Sequence, residues 1–126
     1  FIEYGYNPIE TPILMYYDIL SDKYDETNDI LKEIYKLTDQ GNRKLGLRYD
    51  LTVPFAKVIS INKDISLPFK RYEIGKVFRD GPVKLGRCRE FYQCDIDIIG
   101  NGELSIINDA QMPSVIYNTF KELGLN

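Results

Sequence analysis

The sequence predicts an α+β fold, an antiparallel β-sheet flanked by helices. Three observations predict it. Phe69–Gly100 holds two runs of β-branched and aromatic residues separated by a basic loop containing glycine and proline. Ile106–Leu123 repeats mostly apolar residues at helical spacing, through Ile107, Ala110, Met112, Val115, Ile116, Thr119, Phe120 and Leu123. A second helical stripe, Phe55, Val58, Ile59 and Asn62, follows Thr52-Val53-Pro54, where proline suits a first helical turn. The chain of 126 residues is long enough for one domain with one core, and its hydrophobic content of 44% is ordinary for a globular protein.

In chain order, Gly5 can end a short helix, and Asn7-Pro8 and Thr11-Pro12 mark a turn and an extended entry. Met15–Ser21 is expected to form a short helix, and the acidic Asp22–Asp29 an exposed loop. Ile30–Thr38 is compatible with helix or strand. After the helix that runs to about Asn62, Lys63–Leu67 reads as loop. The first long strand spans Phe69–Arg79 and the second Cys88–Ile99. Gly100-Asn101-Gly102 makes a turn. The last helix is expected to be capped by Asn108 or Asp109, or to begin near Met112 because of Pro113, and to stop at Gly124.

Period-two alternation divides the second long strand into two faces. Arg87, Arg89, Phe91, Gln93, Asp95 and Asp97 share one; Cys88, Glu90, Tyr92, Cys94, Ile96 and Ile98 share the other. The even face is mostly apolar and suited to packing. The odd face is either solvated surface, common where antiparallel sheets meet water, or the floor of a site. Its order of cations, ring, amide and carboxylates favours a site for a phosphate, a purine and an ammonium group.

Composition narrows the function. The net charge of -3 gives no general attraction to nucleic acid or acidic lipid. The chain has no histidine, which removes imidazole metal sites and Ser-His or Cys-His nucleophile systems from these residues. Cys88 and Cys94 lie too far apart along one strand to bridge, and free thiols fit a reducing, cytoplasmic location. No run of about 18 apolar residues is present to cross a membrane. The chain opens on Phe1 rather than Met, so its N-terminus is expected to lie upstream.

GRCREFYQCDIDIIG, residues 86–100, resembles motif 2 of the class II aminoacyl-tRNA synthetases in its histidyl-tRNA synthetase form. LGLRYDLTVPFAKV (Leu45–Val58) resembles the LRYDLT segment of that family, and GYNPIETPIL (Gly5–Leu14) the end of its motif 1. The three matches occur in the family's order. The resemblance implies a partial class II catalytic core over residues 1–126, with motif 3 and an anticodon-binding domain outside it. It also implies a hairpin with strands ending near Asp39 and spanning Leu45–Asp50, turning at Gln40-Gly41-Asn42. On the second strand of that hairpin, Arg48, Asp50 and Thr52 would share a face.

The implied activity is that of a histidine–tRNA ligase. A histidine carboxylate attacks the α-phosphate of ATP, pyrophosphate leaves, and the acyl group later passes to tRNA(His). Such chemistry needs charge stabilisation more than a nucleophilic side chain. The resemblance assigns Arg79 as the catalytic residue, on the α-phosphate and the substrate carboxylate, where a planar guanidinium can bridge two anions. It assigns Asp50 and Thr52 to the α-amino group, Gln93 to the amino and carboxylate end, and Asp97 to the imidazole. Gln93 and Asp97 are about 13 Å apart along an ideal strand. Phe91 stacks on adenine, and Arg87 and Arg89 meet ATP phosphates or the tRNA end, with Arg89, beside Phe91, preferred. Gly75 would allow close approach of ligand. ATP as substrate, Mg2+, histidine, tRNA(His) and a homodimer through motif 1 complete the expectation.

The sequence departs from the family pattern at four places. Met15 and Gln111 stand where acids are expected, Cys88 replaces a tyrosine, and Asp80 is only the nearest acid to the usual adenine contact. Without motif 3, the chain alone is expected to be inactive. The alternative is a non-catalytic, histidine-sensing regulatory subunit of ATP phosphoribosyltransferase. A prolyl or threonyl enzyme is disfavoured by Asp97 and the QCD stretch, and a purely structural domain by the ordered matches.

Overall fold

The structure is a computed structural model that describes residues 1–25 and 27–125. The chain divides into two compact units, Phe1–Ile9 with Ile65–Tyr72 and Ile96–Asn126, and Glu10–Asp64 with Glu73–Asp95. Two ten-residue strands, β5 (Phe69–Phe78) and β6 (Glu90–Ile99), contribute residues to both.

In the first unit a single 3-10 turn, Ile2–Tyr4, ends at Gly5, whose φ of 79° is the left-handed conformation a glycine adopts without strain. β1 (Asn7–Pro8) then pairs in parallel with β5, Asn7 opposite Arg71 and Pro8 opposite Tyr72. Phe1 packs its ring against Tyr6 and Tyr72. The last helix, here called α4 (Ile107–Glu122), is tied to the N-terminal segment: Asn118 Nδ2 donates to the Tyr4 hydroxyl at 2.6 Å, and the Tyr6 hydroxyl to Met112 Sδ at 3.4 Å. Tyr6 and Val115 form the buried apolar centre.

α4 starts earlier than its proline suggested. Ser105 supplies the N-terminal stop: its Oγ accepts from Ile107 N–H and its carbonyl from Asn108 N–H, so neither Asn108 nor Asp109 is the cap. Pro113 lies inside the helix, where its missing N–H forfeits one intrahelical bond. The other end matches expectation. Gly124 at φ 72° donates to the Lys121 carbonyl and Leu125 N–H to that of Phe120, the paired bonds of a Schellman stop.

The second unit holds an antiparallel three-stranded sheet in the order β2 (Leu14–Tyr16), β4 (Lys44–Leu47), β3 (Lys36–Thr38). The β3–β4 hairpin follows the expected turn: Asp39 Oδ1 accepts from Gly41 and Arg43 N–H, and Asn42 sits at φ 61°. Ile30–Thr38 resolves into both candidates, helix α2 (Ile30–Glu33) and then β3. Helix α1 (Tyr17–Ser21) is preceded by β2 rather than starting at Met15. Leu20 and Ile34 pack with Met15 as the core. Gly46 is required there, because a Cβ would lie 2.9 Å from Leu20 Cδ1 and 3.0 Å from the Tyr35 carbonyl. α3 (Thr52–Ile61) buries Pro54 and Phe55.

β4 ends at Leu47, so Arg48, Asp50 and Thr52 do not share a strand face as expected. Arg48 turns inward and is 3% exposed, paired with Glu73 at 2%. Gly75 also has a different use: a Cβ there would sit 2.5 Å from Arg48 Nη2. The close approach it permits is that of the Arg48 guanidinium, not of a ligand.

Candidate active site

The loop from Arg79 to Arg89 closes β5 onto β6, with Arg79 N–H donating to the Arg89 carbonyl at 2.9 Å. The end of one strand therefore meets the start of the next, and the pair is the expected antiparallel hairpin. Its two faces are used the opposite way from the hydropathy pattern. In the second unit the odd-numbered members of β6, Phe91, Gln93 and Asp95, are half-buried, whereas Glu90, Tyr92 and Cys94 are exposed. Tyr92 is 67% exposed and Ile74 of β5 60%. The fold encloses the side with the charges.

Arg79 stands between two rings. Its guanidinium carbon lies 4.3 Å from the Tyr49 ring centroid and 5.0 Å from that of Phe91, and its Nε donates to the Tyr49 carbonyl at 3.3 Å. Cation–π attraction holds the planar group without consuming its terminal nitrogens. Tyr49 is itself fixed by donating its hydroxyl to Glu33 Oε2 at 3.1 Å. Burial, then that bond to Glu33, push the Tyr49 phenol above its ordinary pKa, so it remains a donor. A cavity of about 300 Å³ opens here, lined by Glu33, Arg79, Gly81, Arg87, Cys88 and Phe91 among others. That is the lower end of ordinary ligand-pocket sizes. Among the described residues neither Arg79 nor Arg87 forms an ion pair.

The two loop arginines, of which Arg89 is the one expected to reach into the site, are placed differently. Arg87 lines the cavity, while Arg89 donates to the Gly81 carbonyl at 3.2 Å and faces Asp80 at 3.6 Å. Arg89 thus braces the loop. Asp50 accepts from Val53 N–H at 2.9 Å, capping the first turn of α3, and pairs through its other oxygen with Lys23 at 3.0 Å. Thr52 donates to Asp95 Oδ2 at 3.5 Å, and Gln93 Nε2 to Asp95 Oδ1 at 3.2 Å. Asp97 lies in the other unit, where the fully buried Arg71 donates to its Oδ2. There, burial and then the Asp97 charge raise the Tyr6 phenol pKa.

The histidyl-tRNA synthetase family model matches residues 1–126. The chain belongs to the histidyl-tRNA synthetase family. A histidine–tRNA ligase of Bacillus cereus is 57% identical over 99% of the chain, and one of Clostridium tetani 53% over 97%. These relatives are aminoacyl-tRNA ligases by name, and the chain spans 28% and 27% of their lengths. A solved histidyl-tRNA synthetase from Nostoc superposes with a TM-score of 0.79 at 38% identity, over 96% of this chain and 27% of that one. A Bacillus halodurans structure described as an ATP phosphoribosyltransferase regulatory subunit/histidyl-tRNA synthetase superposes with 0.80 at 29% identity, over 99% and 31%. The α+β architecture expected of a synthetase catalytic core is therefore established.

Around this candidate site, sequence reasoning gives no role to three residues that the structure brings in. Glu33 and Tyr49 steady Arg79, and Asp95 joins Thr52 to Gln93. Tyr49 and Asp95 lie in two of the three matched segments, which is the available signal; Glu33 gives none. No group of three or more His, Cys, Asp or Glu side chains converges as a metal site among the described residues. No helix among the described residues is long and apolar enough to cross a membrane.

Proposed function

We propose that this chain carries the amino-acid- and ATP-binding surface of a histidine–tRNA ligase. One oxygen of the histidine carboxylate attacks the α-phosphorus of ATP. The bond from that phosphorus to the bridging oxygen breaks, and pyrophosphate leaves with its electron pair. Arg79, the catalytic residue, bridges the carboxylate and the α-phosphate and stabilises the charge that builds between them. Arg87 takes phosphate oxygens, Phe91 offers its ring to adenine, and Arg89 holds the loop with its charge nearby. Asp50, Thr52 and Gln93 receive the α-amino group. Asp97 accepts an imidazole N–H, with Arg71 fixing the carboxylate. Transfer of the histidyl group to tRNA(His), and a homodimer as the working assembly, complete the reading for the full-length protein.

One observation carries this proposal. Arg79 is held by two rings beside a cavity that it shares with Arg87 and Phe91, and among the described residues neither arginine forms an ion pair. Cations without a direct ion-pair partner, next to an aromatic surface, suit an anionic, aromatic ligand such as a nucleotide. The test is ATP–pyrophosphate exchange by the full-length protein, which should depend on histidine and not on proline. A second reading, a histidine-binding regulatory subunit, is favoured by the description of the Bacillus halodurans neighbour. Histidine binding without any exchange would establish it over the ligase.

A further inference from the structure

We infer that Asp95 is a positioning residue: it locks Gln93 as a hydrogen-bond acceptor and so commits that side chain to the ammonium end of the amino acid. The inference rests on the function proposed above and deepens it. Gln93 Nε2 donates to Asp95 Oδ1 at 3.2 Å. An ionised carboxylate can only accept, so the amide nitrogen must face Asp95 and the amide oxygen must face away. That oxygen, Gln93 Oε1, is buried and accepts no hydrogen bond among the described residues. A buried acceptor without a donor is unfavourable, and a ligand N–H removes the penalty. A ligand carboxylate placed there would meet a second acceptor instead. If the amide were free to turn over, Gln93 could present its NH2 group and receive the carboxylate.

The second oxygen of Asp95 extends the arrangement to α3, where Thr52 Oγ1 donates to it at 3.5 Å. One carboxylate thereby connects two of the side chains assigned to the α-amino group and adds a negative charge beside them. Asp95 acts on the substrate through Gln93 and sets which end of it that side chain accepts.

The experiment uses the full-length protein and two probes, histidine and its des-amino analogue imidazolepropionate. Calorimetry on the wild type should give binding at least about tenfold tighter for histidine, the value of one satisfied buried acceptor. Equal affinities overturn the inference. Asp95→Asn and Asp95→Thr both free the amide to turn. Either should raise the KM for histidine about tenfold, change kcat less than about threefold, and leave imidazolepropionate binding nearly unchanged. Equal weakening of both probes indicates a merely structural role and overturns it. In a Gln93→Met background, Asp95→Asn should add less than about twofold; a fully additive effect also overturns it. Absence of histidine-dependent exchange in the wild type would reject the ligase instead, while the comparison of the two probes would still decide the role of Asp95.

Discussion

Arg48 and Arg79 lie in the same unit and serve opposite ends. Arg48 is buried, and two of its nitrogens are taken up by the protein: Nε by the Lys76 carbonyl at 2.7 Å, Nη1 by the Thr11 carbonyl at 2.6 Å and by Glu73 Oε1 at 3.0 Å. Glu73 is answered in turn by Thr11 N–H and Oγ1. Among the described residues Arg79 gives one hydrogen bond, from Nε, and is otherwise held by two rings beside a cavity. The same residue type is a cross-brace where its fork is filled and a candidate catalytic group where its fork is open. The hydrogen-bond inventory makes the distinction; burial alone does not.

The largest expected effect breaks the brace. Glu73→Ala strands the Arg48 charge in the interior and should cost about 3–5 kcal/mol of stability in urea unfolding. Replacing both partners, as Arg48→Met with Glu73→Leu, should cost less, because no buried charge is left behind. A loss below about 1 kcal/mol for Glu73→Ala would mean that water reaches the pair and that the contrast with Arg79 is false.

Arg79→Ala should show the reverse profile. Histidine-dependent pyrophosphate exchange by the full-length protein should fall by about 10²–10³-fold, the usual cost of losing a transition-state charge partner. Stability should fall by no more than about 1 kcal/mol, the value of cation–π contacts at a partly open site. Equal damage to folding and to exchange would make Arg79 a second brace.

A smaller effect sharpens the comparison from the backbone side. Gly75→Ala places a methyl group 2.5 Å from Arg48 Nη2, a nitrogen held in place by the surrounding bonds. The overpacking should cost about 1–3 kcal/mol of stability. Histidine affinity should stay the same, because the space that Gly75 provides is filled by Arg48. A loss of histidine affinity at unchanged stability would return Gly75 to the ligand site.

Much of this was legible in the sequence. β-branched residues and alternation marked β5 and β6, Gln40-Gly41-Asn42 marked the β3–β4 turn, and Gly124 marked the end of α4. Local chemistry decides these features. The misreadings occur where tertiary packing overrides it. The apolar even residues of β6 promised a buried face, yet Tyr92 and Cys94 are exposed and Phe91, Gln93 and Asp95 are half-buried. Arg48 looked equivalent to Asp50 and Thr52 because the early end of β4 could not be read from side-chain identity. The position of Arg89 next to Phe91 in sequence does not reveal that the bend of the loop turns it back onto Gly81. Alternation places Asp95 on the face it occupies, but only the distances to Thr52 and Gln93 reveal a role for it.

The smallest expected effect concerns a pair that resembles the Arg48–Glu73 brace only in its charges. Lys23 Nζ lies 3.0 Å from Asp50 Oδ2, with the lysine side chain 44% exposed. Lys23→Met should therefore cost less than about 1 kcal/mol, because solvent screens the attraction and Asp50 keeps its cap on Val53. Its pH dependence separates it from Arg48. Burial alone would lower the Lys23 pKa, but the bonds to Tyr24 and Asp50 outweigh it, and the net shift is upward from the ordinary 10.5. A pKa raised on folding stabilises the protein fully below the unfolded value, and that contribution is lost as pH rises through the folded value. Urea unfolding of wild type and Lys23→Met should thus differ by a constant amount from about pH 7 to 10 and converge at higher pH. The cost of Arg48→Met should not fade in the same window from loss of the arginine charge, because a guanidinium does not deprotonate there. If the Lys23 difference disappears already near pH 8, the ammonium is not held by Asp50, and the contacts that leave Asp50 anchored at the start of α3 come from Val53 N–H and the Tyr24 hydroxyl instead.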